Sequence, residues 1–98
     1  MLANAKEMIS AVWEAAERDG YRRPKGNERD EARSADNKRR VLVGYGAGGI
    51  RIRADVANPH PDGWRWIHVC STDVATMDGV QAAWDWTVAQ LNEWETTP

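Results

Sequence analysis

The chain reads as an α+β domain of order α-β-β-β-α, a three-stranded antiparallel meander with two helices packed on one face. Three observations carry that reading: a helical apolar period near each end, a period of two across residues 41–70, and Gly/Pro clusters that punctuate the middle. Ninety-eight residues leave room for one core, so residues 1–98 are expected to form a single domain.

Leu2, Ala5, Ile9, Val12, Trp13 and Ala16 share one helical stripe with Met8 at its edge, while Glu7, Ser10, Glu14 and Arg18 fall opposite. Gly20 is a natural stop because it adopts the left-handed conformation that closes a helix. The first helix is therefore expected over about 2–18. Residues 21–40 follow with eight Lys/Arg, four Asp/Glu and little to bury after Tyr21, and are expected to be a mobile charged segment. Asn27 could cap a short polar helix over 28–36, for which Ala32 and Ala35 are the inward residues.

The period then changes to two. Val41, Val43 and Tyr45 alternate, as do Ile50, Ile52, Ala54 and Val56, with the glycines of Gly44–Gly49 between them for a tight reversal. Pro59, Pro61, Asp62 and Gly63 mark a second turn, and the β-branched and aromatic run Trp64–Cys70 is a third strand. A final helix is expected over about 79–95, opening near Asp78 with Gln81 as its capping-box partner. Its apolar stripe is Val80, Ala83, Trp84, Thr87, Val88, Leu91 and Trp94, with Asp85, Asn92 and Glu93 opposed.

Six Trp and no Phe make indoles the bulk of the core, and each buried Trp removes about 150–250 Å² from water. A single Cys excludes a disulfide framework and a four-Cys zinc site. No apolar run is long enough to span a membrane and the start does not resemble a signal peptide, so a cytoplasmic protein is expected. Charge is segregated: residues 1–17 carry −2, residues 18–65 carry +5, and residues 66–98 carry −5 with no Lys or Arg.

Gly44, Gly46 and Gly49 spell G-x-G-x-x-G after a strand, but Ile50–Val56 alternates with period two where a dinucleotide site needs a helix. The glycines are read as a hairpin, and no cofactor is expected. His60, Asp62, His68, Cys70 and Asp73 are metal-ligand types within fourteen residues, with His68 and Cys70 at i and i+2 on one strand face. They match no recognised ligand spacing, so no metal is expected, and no enzyme is expected, the alternative being a thiol–imidazole site at His68 and Cys70.

The face of the sheet turned from the helices is the candidate binding surface. With Val41, Val43, Ile52, Ala54, Ile67 and Val69 inward, alternation places Arg40, Leu42, Arg51, Arg53, Trp64, Trp66 and His68 outward. Arginines interleaved with indoles suit a protein partner or a nucleic-acid backbone with stacked bases. Trp86 lies off the axis of the last helix's stripe and is expected to be exposed beside Asp85, a second anchor candidate.

The α-β-β-β-α order is similar to that of double-stranded-RNA-binding domains. Those place lysines at the start of the last helix, where Thr76–Trp84 here has an acid and no base. From Arg40 onward the three strands and helix also look like the sheet-in-groove DNA-binding domains of phage integrases, with Arg51, Arg53 and Trp66 on the relevant face. Both are likenesses of topology, and no family is assigned. The function expected is that of a non-enzymatic protein–protein interaction module, such as a phage- or mobile-element-encoded accessory or inhibitor protein. The alternative is a nucleic-acid-binding domain using the same Arg/Trp face.

Overall fold

The computed structural model describes residues 4–23, 30–60 and 63–96, with backbone alone for Pro59, His60, Trp64 and Thr96. Helix α1 (Ala5–Arg18) precedes strands β1 (Glu31–Arg33), β2 (Arg39–Gly46), β3 (Gly49–His60) and β4 (Gly63–Val74), and helix α2 (Val80–Thr96) follows a short 3₁₀ turn at Met77–Gly79. The strands form one antiparallel sheet in the order β1-β2-β3-β4. The fold is α+β, with both helices on one face of the sheet.

The sheet has four strands, not the expected three. The additional one, β1, lies within residues 21–40 and replaces the short helix anticipated there, of which residues 28 and 29 lie outside the described residues. Only Ala32 is apolar in β1, and it is buried opposite Val41. Three residues show too little of a period-two pattern to be read, and a charged edge strand is held mainly by main-chain pairing. That pairing continues outward, since Arg22 and Arg33 exchange two N–H···O bonds of 2.8 Å in an isolated antiparallel bridge.

Val41, Val43, Ile50, Ile52 and Ala54 form the inner face of the sheet and are buried against Met8, Val12, Trp13 and Ala16 of α1 and Val80, Trp84 and Leu91 of α2. Trp84 is 0% exposed and central. Its indole N–H donates to Asp19 Oδ2 at 2.6 Å, and its ring meets Tyr21 edge-on at 5.4 Å between centroids. Trp94 belongs to the same helical stripe by spacing but is 45% exposed, bordering a surface hollow with Lys38, Val56 and Ala57. One turn beyond Leu91 the helix has left the core.

Arg39 clasps the end of α2 to β2. Its Nε donates to Glu95 Oε1 at 2.7 Å, and its second nitrogen reaches Glu95 Oε2 at 2.6 Å and Asn92 Oδ1 at 3.0 Å. At the start of this region Asp78 sits in the 3₁₀ turn, which has no side-chain cap. Gln81 does not act as the capping-box partner: its amide donates to Asp85 and accepts from Arg18.

The glycine-rich run is a β-hairpin, as its flanking alternation requires. Gly46 pairs with Gly49 around a two-residue turn in which Gly48 has φ +79°. A Cβ at Gly49 would collide with the Val74 carbonyl oxygen. Among the described residues no helix is long and apolar enough to cross a membrane.

Candidate functional site

Strand pairing turns scattered sequence positions into one row on the open face of the sheet. Arg22 bridges to Arg33, Arg33 pairs with Arg40, Arg40 with Asp55, and Asp55 with His68. Directly opposed residues of antiparallel strands project to the same side. Three arginines therefore stand next to one another, an arrangement that needs compensating charge.

Two carboxylates supply it from beneath. Asp55 is 0% exposed and takes Arg40 Nε at 2.7 Å on one oxygen and Arg53 Nε at 3.0 Å on the other. His68 Nδ1 lies 3.5 Å from the second oxygen. Glu31, 1% exposed, is 3.3 Å from Arg33 and 3.7 Å from Arg40. Above this layer the guanidinium carbons of Arg33 and Arg40 lie over the Trp66 ring, 5.3 and 4.7 Å from its centroid. Farther along the face Arg51 forms an exposed pair with Asp73 at 2.8 Å, which holds that carboxyl below its ordinary range.

The structure thus gathers Arg40, Arg51, Arg53, Trp66 and His68 on one face. The Trp64 side chain lies outside the described residues. Trp86 is 42% exposed on α2, in the helical layer and away from that face. Sequence reading missed Arg22, Arg33, Glu31 and Asp55. A signal for Asp55 existed, because an acid at the inward-to-outward step of an apolar strand is costly to bury unpaired.

His68 and Cys70 are not on one face. Ala54 pairs with Cys70 while the next residue, Asp55, pairs with His68, so Val69 is an extra residue in β4. This β-bulge shifts the alternation. His68 is half exposed on the open face, whereas Cys70 is buried in the core, where burial pushes its thiol pKa up. The premise of shared ligation or of a thiol–imidazole pair is removed by that one residue. Of the other ligand candidates, Asp62 and the His60 side chain lie outside the described residues.

No protein-family model, no curated protein and no solved structure matches this chain.

Proposed function

We propose that the protein is a non-enzymatic interaction module that docks an acidic protein surface on the open face of its sheet, in the manner of a small accessory or inhibitor protein. The supporting observation is the layering of charge there. The acids Glu31 and Asp55 are buried, while Arg33, Arg40 and Arg53 keep part of their surface accessible around Trp66. Arginine and tryptophan dominate interface energetics, and side chains already held by ion pairs lose less freedom on docking.

The same layering favours a protein over a nucleic acid. Both guanidinium groups over Trp66 occupy ring surface that a stacked base would need. Arg51 and Arg53 are each engaged by a carboxylate, and the whole chain carries a net charge of −2.

The test is capture from host lysate with wild-type protein, an Arg51→Ala/Arg53→Ala double variant and Trp86→Ala. A protein retained by wild type and Trp86→Ala, and released faster by the double variant, is the expected result. Loss with Trp86→Ala alone would move the interface to α2. Salt-dependent retention of nucleic acid in place of protein would overturn the reading.

A further inference from the structure

The row of arginines does not end at the carboxylates that neutralise it. Glu31 and Asp55 serve Arg33, Arg40 and Arg53, while Arg22 has no ion pair among the described residues. Arg22 nonetheless stands directly across a two-bond bridge from Arg33, and like charges so placed repel. Arg33 adds a second sign of incompleteness, because its buried Nε has no acceptor among the described residues, while its other nitrogens donate to Asn37 Oδ1 at 3.4 Å and Glu31 Oε1 at 3.3 Å. Beside this pair opens a hollow of about 520 Å³, lined by Arg22, Arg23, Arg33, Ser34, Ala35 and Asn37. Among the described residues its lining includes three cations, of which Arg23 is paired with Asp30, and no acid. Nearby carboxylates are turned to other work: Asp30 is 4.0 Å from Arg23, and Asp36 accepts the Ser34 hydroxyl at 2.7 Å.

We infer that this hollow at the β1 edge is an oxyanion site for a phosphate monoester or phosphate dianion, with Arg22 and Arg33 as its principal ligands. A guanidinium presents paired donors that match the oxygens of such a group. Arg22 and Arg33, opposed across an isolated bridge, both line the hollow, and the double negative charge of the ligand relieves their mutual repulsion. A singly charged carboxylate or diester supplies half of that compensation. The site adjoins the proposed docking face, but its test needs no protein partner, so either reading can fail alone.

The experiment is an amide and arginine Nε–Hε NMR titration with inorganic phosphate, phosphoserine and dimethyl phosphate, at ionic strength held constant with chloride. Saturable shifts at Arg22, Arg33 and Ser34 with the first two probes, and weaker ones with the diester, are expected. Arg22→Ala, a change at an exposed side chain, should weaken phosphate binding about tenfold, the scale of one charge-assisted contact. Arg51→Ala, at the far end of the face, should leave it within about twofold. Absence of saturation at millimolar phosphate, or an equal loss with Arg51→Ala, would overturn the site. Dimethyl phosphate binding as tightly as the monoesters would overturn the ligand class and point to a nucleic-acid backbone.

Discussion

At the scale of single residues, the most consequential group is Asp55, a carboxylate with no exposed surface between Arg40 and Arg53. Asp55→Ala removes the counter-charge and leaves Arg40 largely buried, so a loss of about 3–5 kcal/mol in urea unfolding is expected. Trp84→Ala should cost a similar ~3–5 kcal/mol as a large-to-small core change, with the Asp19 hydrogen bond lost as well. Unchanged melting of that variant would contradict the placement of α2. Glu95 gives the pH dependence a definite sign. Its hydrogen bond from Arg39 holds the carboxyl below its ordinary range when folded. The clasp therefore contributes stability above the usual glutamate pKa, and that contribution disappears as pH falls through the lower folded-state value. Acid titration of stability for wild type and Glu95→Gln should show a shallower decline in the variant.

At the scale of elements, both helices and three of the four strands were legible, β2 and β3 by the face each buries and β4 by its β-branched and aromatic run. Val41 and Val43, the alternation at Ile50–Val56 and the stripe ending at Leu91 correspond to buried positions, whereas Tyr45, in phase with Val41 and Val43 by sequence, is exposed near the end of its strand. Strand β1 was not legible, since its order comes from main-chain bonds that leave no mark on side-chain pattern. Amide exchange tests it directly: the Arg22, Arg33 and Val43 amides, all bonded to main-chain carbonyls, should exchange more slowly than free-peptide amides. Peptide-like rates at all three would show that β1 does not persist in solution. The β2–β3 hairpin offers a second test. Gly48→Ala places a side chain at φ +79° in open space, whereas Gly49→Ala drives one into the β4 backbone. The former should cost about 1 kcal/mol and the latter about 1–3 kcal/mol in thermal or urea unfolding.

At the scale of the whole molecule, the segregation of charge along the chain becomes a difference between its two sides. The helical layer carries Glu7, Glu14 and Glu17 of α1 and Asp85, Glu93 and Glu95 of α2, and α2 contains no base. The open sheet face carries Arg33, Arg40, Arg51 and Arg53, while Arg18 lies on α1 and Arg39 is turned to the end of α2. Composition showed that a basic middle lay between acidic ends, but not that two acids would lie beneath the basic face. The candidate site was legible as a list of outward residues and illegible as a row, because Arg22, Arg33, Arg40 and Asp55 become neighbours only through the register of four segments.

The extra residue in β4 also governs how this molecule behaves in a crowd. β4 is twelve residues long and pairs with β3 along one side only among the described strands, the kind of border along which identical chains zip together. Side chains before Val69 alternate in one phase and those after it in the other. Two copies laid antiparallel about the bulge would set open-face residues such as Trp66 against core-face residues such as Thr72, which regular pairing forbids. Deleting Val69 would restore a single phase without moving His68 or Cys70 from its present side. Such a variant should fold, and sedimentation velocity should show stronger self-association than in the parent, the mark of a surplus valine that interrupts pairing along this border.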